Sequence, residues 1–277
     1  ISYIARLRRL KWAVDVREDY KLLIQDRSWA TGTKKMIGTF IADAAVSASA
    51  KADLTIVVDD WVQPLKAINR VVLHNNPDIR FLPEPTNPAS KPRAIYVGDV
   101  RKSRGLFTML KAIELTDNWT LDIVGKIAKQ DKNELDKWLA TSSAVDRVRF
   151  HGNLGAHESW KFAEGAWVGL ALLEPTPAFM RAWPTKIGEY IACGLPVIAT
   201  DLPRAAEVIL KEPRPGALVE IENDDVIAMQ SAAILNSWSE NPDEYGEVRQ
   251  RALQNVQHWR NVGNYQMLAQ EILNLTR

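Results

Sequence analysis

The chain has 277 residues, 46% of them apolar and 25% charged; this is the balance of a soluble globular protein, and the length predicts two domains. A formal net charge of +1 gives no reason to expect nucleic acid or another polyanion as a partner. The single cysteine excludes an intrachain disulfide and fits a reducing, cytoplasmic compartment, and no run of about 18 or more apolar residues occurs that could span a membrane.

Residues 1–10 carry Ile1, Ile4, Leu7 and Leu10 at helical spacing, with Arg6, Arg8, Arg9 and Lys11 on other faces. Such a helix packs on a sheet or makes peripheral contact with the inner membrane surface, the packed helix being preferred. The chain starts inside this helix without a methionine, so an N-terminal portion is expected to be missing. Residues 11–16 (KWAVDV) read as a buried strand ending in the polar loop 17–19, and residues 20–31 read as irregular. A helix is expected over 33–50 and a strand over 54–58. Asp59 is expected to cap a short helix through Ile68, and a third strand to run over 71–73. Alternating β and α predicts a parallel sheet with crossover helices.

Residues 75–92 are rich in proline and lack periodicity, which marks a domain boundary. The expected organisation is a partial first domain over 1–78, a linker over 79–92, a second domain over 93–255, and a last helix over 256–277. In the second domain strands are expected at 94–98, 119–124, 147–150, 167–173, 196–199 and 217–219. Helices fall between them at 105–115, 131–141, 156–164, 185–193 and 204–210, and the chain is helical from Asp224 onward. The fold class is therefore α/β with doubly wound, Rossmann-like parallel sheets.

The stretch 172–203 concentrates the chemistry. Pro184 suits the first helical position, Ile187, Tyr190 and Ile191 form one buried face, and Gly194 suits the left-handed turn that ends a helix. The helix N-terminus opens beside strand ends with Arg181 and Lys186 near it, a setting that favours an anion. Glu189 lies one turn deeper. A second candidate is Gly98 to Gly105, where glycine lets backbone approach a phosphate and Arg101, Lys102 and Arg104 supply charge; G-x-G-x-x-G is absent. A third strand runs into Phe150-His151-Gly152-Asn153. His151 has no spaced partners for a metal site and reads as a surface or satisfied histidine, and Cys193 reads as a small core residue. Trp119 and Trp167 read as core, whereas Trp61 and Trp183 are candidates for stacking on a sugar.

Glu189-Tyr190-Ile191-Ala192-Cys193-Gly194, followed by Pro196-Val197-Ile198-Ala199-Thr200-Asp201, resembles the donor-site segment E-A-M-A-C-G-x-P-V-I-A-S-D of retaining GT-B glycosyltransferases, family 4 in particular. Gly98 to Gly105 is similar to the family's V-G-R-x-x-x-x-K-G, with Arg104 at the lysine position and Asp99 at the arginine position, for which Arg101 is a substitute. Phe150-His151-Gly152 is similar to the F-x-G turn that borders the nucleobase, and Leu73 to Asp78 to the I-P-N-G-V-D exit from the first domain.

The resemblance implies a GT-B architecture with an incomplete acceptor domain and a last helix that returns to it. It implies transfer of a sugar, with retention, from a nucleotide diphosphate-sugar to a glycan, lipid or small-molecule acceptor, with no metal and no cofactor. Glu189 would hold the ribose hydroxyls, Lys186, Thr185 and Arg104 the diphosphate with Gly98 and Arg101 beside a phosphate, and the turn of Gly152 and Asn153 would border the nucleobase. The catalytic set would be Arg104, Lys186 and Glu189. Arg181 stands where the family has the first glutamate of Glu-x7-Glu, and Glu174 is a candidate replacement. Arg17 stands near the family's acceptor-side histidine, with Glu18 beside it. Two alternatives remain: an inactive GT-B-like nucleotide-binding or scaffold protein, favoured by the lost glutamate and histidine, and a nucleotide-sugar epimerase.

Overall fold

The computed structural model describes residues 10–25, 31–261 and 265–276. The helix expected over 1–10 lies, Leu10 aside, outside the described residues, as does Trp29. The chain divides into two compact units, one of residues 1–75 and 262–277, the other of residues 76–261.

The first unit holds three parallel strands in the order β1 (Ala13–Val16), β2 (Leu54–Val57), β3 (Arg70–Val72). Alternation along the strands sends Val16 and Val57 to one face, where Val58 and Val62 from beyond β2 join them, and Leu54, Ile56, Val71 and Leu73 to the other, where Leu268 and Leu275 of the helix Tyr265–Thr276 cover them. Helices α1 (Tyr20–Gln25) and α2 (Gly32–Ser49) connect β1 to β2. Helix α1 departs from the irregular segment expected there. The Asp19 carboxylate accepts from the N–H groups of Lys21 and Leu22, capping a turn too short to show periodicity.

Asp59 does not cap a helix. Residues 59–69 form successive turns, and the Arg70 guanidinium gathers the carbonyls of Asp59, Asp60, Val62 and Pro64. Those carbonyls would otherwise accept within a helix, whose interior Pro64 also disfavours.

The second unit is a six-stranded, all-parallel sheet in the order β6-β5-β4-β7-β8-β9. The strands are β4 (Arg93–Val97), β5 (Thr120–Val124), β6 (Val148–Gly152), β7 (Val168–Ala171), β8 (Val197–Thr200) and β9 (Gly216–Val219). Helices α3 (Leu106–Glu114), α4 (Lys132–Thr141), α5 (Ala156–Trp160), α6 (Thr185–Ala192) and α7 (Pro203–Ile209) join them, and α8 (Asp224–Glu240) and α9 (Pro242–Asn261) follow. Apolar runs such as VGLA and VIAT are buried throughout because helices cover both faces of the sheet. Trp119 is fully buried and its indole N–H donates to the Leu235 carbonyl. Trp167 stacks on Tyr245.

Residues 76–92 pack on this unit. Leu82 joins its core, Pro85 lies against Gly194, and the Ala89 N–H donates to the Gly165 carbonyl at 2.9 Å. Trp259, near the end of α9, also belongs here: its ring lies where a side chain on Gly188 would stand, so α9 packs directly on α6. The strand order reverses between β4 and β7, and open α/β sheets bind ligands beyond the strand ends at such a point.

Candidate active site

Three neighbouring strands on one side of that point run into glycine, β4 into Gly98, β5 into Gly125 and β6 into Gly152, with φ of 151°, 146° and 70°. The Gly98 N–H donates to the Val124 carbonyl at 2.9 Å and the Gly125 N–H to the Gly152 carbonyl at 2.8 Å. A Cβ on Gly125 would stand 1.6 Å from the Gly98 carbonyl oxygen, so only glycine permits this approach. The β5–β6 register slips by one residue at His151, a bulge that carries the chain on to Gly152 and Asn153. The His151 ring shares a hydrogen bond of 2.7 Å with Asp122 and lies 4.0 Å from Phe162, and Asp122 accepts in turn from Arg93 at 2.8 Å. Beyond the glycines opens a crevice of about 360 Å³, lined among others by Gly98, Asp99, Gly125, Lys126, Asn153 and Ser159.

The basic turn follows β4. Lys102 to Arg104 form one 3-10 turn closed by Gly105 at φ 79°, where a Cβ would meet the Leu172 carbonyl at 2.0 Å. This ties the turn to the end of β7, and the Glu174 N–H donates to the Ser103 carbonyl at 3.0 Å. Arg101 forms an ion pair with Asp99 and is thereby partly neutralised. Arg104 places its guanidinium 5.4 Å from the Phe179 ring centroid. The Tyr96 hydroxyl donates to the Asp99 carbonyl at 2.8 Å, and burial pushes this phenol up to about 12.

Helix α6 supplies the third wall. It begins at Thr185, one residue after Pro184. Lys186 Nζ lies 2.6 Å from Glu189 Oε2, an ion pair one turn apart, and 4.8 Å from the Trp160 ring centroid. A Cβ built on Gly98 would lie 3.6 Å from Lys186 Cε. Lys186, Glu189 and Gly98 are therefore brought together. Tyr190 points inward and is fully buried, its hydroxyl accepting the Val97 N–H at 3.1 Å.

The remaining candidates have surroundings of their own. Arg181 is exposed on the turn 177–181. Glu174 is half-buried, its carboxyl raised by burial and then by Asp224 and Asp131, with Lys102 opposing. Arg17 and Glu18 belong to the first unit, where Arg17 pairs with Asp15 at 2.6 Å and donates to Asn75 at 2.9 Å. Trp61 and Trp183 pack against apolar clusters. Cys193 is buried, its thiol pushed up to about 12 by desolvation. Among the described residues no three His, Cys, Asp or Glu side chains gather as metal ligands would, and no helix is long and apolar enough to cross a membrane. Sequence reasoning missed Gly125, Lys126, Ser159 and Trp160. For Gly125 a signal existed, because it ends the apolar run LDIV as Gly98 ends AIYV.

The model of the family described as glycosyl transferases group 1 matches residues 78–256, which include all of these strand ends and α6. The chain belongs to that family. No curated protein matched. Among solved structures, sucrose-phosphate synthase from Thermosynechococcus elongatus is 17% identical over 100% of this chain and 70% of its own, with a TM-score of 0.70. HepE from Anabaena, in complex with UDP-glucose, is 16% identical over 99% and 74%, with a TM-score of 0.71. The pneumococcal O-GlcNAc transferase GtfA, in complex with UDP and GlcNAc, is 15% identical over 100% and 54%, with a TM-score of 0.66. At such identities the likeness establishes the fold, two parallel-sheet α/β domains of the GT-B type, and the family match makes this a glycosyltransferase domain.

Proposed function

We propose that the protein moves a sugar from a nucleotide diphosphate-sugar to an acceptor with retention of configuration, in the manner of glycosyltransferase family 4. The observation that carries this reading is the juxtaposition of Lys186 and Glu189 with Gly98, a residue that lines the strand-end crevice. Glu189 accepts from the two ribose hydroxyls, for which a carboxylate has paired oxygens. Lys186, Arg104 and the N–H groups opening α6, with Thr185 among them, stabilise charge growing on the departing diphosphate. The backbone of Gly98 and Gly152, with Asn153, borders the nucleoside. Retention needs no side-chain nucleophile here: the nucleotide diphosphate leaves, and the acceptor attacks the face it vacates.

Arg181 adds a cation where the family places a glutamate, suited to a diphosphate or a carboxylated sugar; Arg101 contributes after release from Asp99. Arg17 and Glu18 are assigned to the acceptor side, and the acceptor is a glycan, lipid or small molecule. The reading needs no metal, cofactor or nucleic acid, and sets the enzyme in the cytoplasm, in contact with the inner membrane surface where its acceptor is a lipid.

Calorimetric titration of the chain with UDP, GDP and ADP tests the assignment. UDP comes first, because HepE and GtfA are described with it. One nucleotide is expected to bind, and Glu189→Ala to weaken it about 10-fold to 100-fold, as loss of charged hydrogen bonds does. Unchanged affinity in that variant would remove Glu189 from the site. The substitution of Arg181 for the first glutamate favours a second reading, a nucleotide-binding protein without catalysis. Hydrolysis or transfer of a bound nucleotide-sugar would eliminate it.

A further inference from the structure

Trp160 is the last residue of α5, directly after Ser159 of the crevice wall, and only 5% of its surface is exposed. Its ring meets Tyr190 edge to face at 5.7 Å. Tyr190 in turn has no room to retreat. Its hydroxyl is bonded to the Val97 N–H, and the absent side chain of Gly169 is what admits its ring, since a Cβ there would stand 2.2 Å away. The indole face is thus a fixed surface, and the Lys186 ammonium lies over it, 4.8 Å from the centroid.

Lys186 has two partners of different kinds. Glu189 neutralises its charge. The indole attracts the ammonium through the ring quadrupole and leaves its charge and its N–H donors available to an anion. We propose that Trp160 is a positioning residue for Lys186: when a donor binds, the ammonium exchanges Glu189 for the diphosphate while staying over the indole. The exchange frees the Glu189 carboxylate for the ribose hydroxyls, so one side-chain movement readies both groups. This inference rests on the proposed assignment of the site to a nucleotide diphosphate.

A role at the diphosphate predicts a selective loss. The full chain is titrated with UDP and UMP, GDP and GMP, and ADP and AMP, and the pair whose base binds is carried into the variants. Trp160→Leu should lower the preference for diphosphate over monophosphate about threefold to thirtyfold, the range expected for a cation–π contact. Trp160→Phe, which keeps a weaker π face, should lose less. Glu189→Ala should weaken both members of the pair, because both carry the ribose, and the diphosphate less than the monophosphate, because Lys186 no longer has to leave Glu189. An unmoved preference in Trp160→Leu, or equal loss for both ligands, overturns the inference while the Glu189 result leaves the function standing. Should the Leu variant not fold, the Phe variant decides by the same ratio. A wild-type chain that binds none of the six overturns the function and this inference together.

Discussion

Glu174 shows how a residue beside the site carries a cost in stability. It is half-buried where the chain leaves β7, and burial, followed by Asp224 and Asp131, raises its carboxyl above the ordinary value of 4.5, while Lys102 opposes the shift. A carboxyl raised in the folded state binds its proton more tightly there than in the unfolded chain. Stability therefore falls as pH climbs from 4.5 through the folded-state value, and stays lower above it. Glu174→Gln removes that fall. Its melting temperature should exceed that of the wild type by about 1–3 °C at pH 7, a small gain because solvent screens a half-exposed charge. The gain should vanish below pH 4.5. Melting curves from pH 4 to 8 check this, and a variant less stable than wild type at pH 7 would mean that the attraction of Lys102 outweighs burial.

At the scale of elements, the seat of α6 on α9 decides whether Lys186 and Glu189 hold their places. Gly188 faces Trp259, and a Cβ at Gly188 would stand 2.4 Å from two ring carbons. Backbone and a buried indole, not a flexible side-chain end, would have to move. Gly188→Ala should cost about 1–3 kcal/mol, as overpacking does, and should weaken nucleotide binding because the helix bearing both groups shifts. Adding Trp259→Leu makes room, so the double variant should be more stable than the sum of the single losses implies. Denaturant midpoints of the three variants give the coupling, and strictly additive losses would show that the two residues do not press on each other.

The same elements show what could be read beforehand. The second unit's strands and α6 were legible because burial on both faces leaves apolar runs bounded by glycine and proline. The five residues KLLIQ after Tyr20 gave no period, and α1 was missed. Asp59 resembled a cap because its competitor, Arg70, acts from eleven residues away. Glu189, Lys186 and Gly98 were legible from a motif. The pairing of Arg101 with Asp99, and the placing of Trp160 under Lys186, depend on side-chain directions that no spacing encodes.

For the whole molecule, the division into units sets where the chain can be cut. Every group assigned to the nucleotide lies within residues 76–261, along with the complete six-stranded sheet and both of its apolar clusters. The proline-rich segment belongs to that body. Leu82 is buried in its core, and Arg260 donates to the Pro83 and Ala192 carbonyls at 3.0 Å and to Glu84 at 2.6 Å. A fragment of residues 76–261 should unfold cooperatively and bind the chosen nucleotide within about threefold of the full chain, since the affinity arises from groups it retains. A fragment beginning at Arg93 lacks Leu82, whose burial alone is worth about 1.5–3 kcal/mol, and lacks the acceptors of Arg260 at Pro83 and Glu84. It should melt lower by at least about 3 °C. Calorimetry and thermal melts of the two fragments beside the full chain provide the comparison. If the fragments melted alike, residues 76–92 would be a tether and not part of the folded body. If the longer fragment folded but lost the nucleotide, the site would draw on residues outside 76–261, and the assignment to the strand ends and α6 would have to be extended.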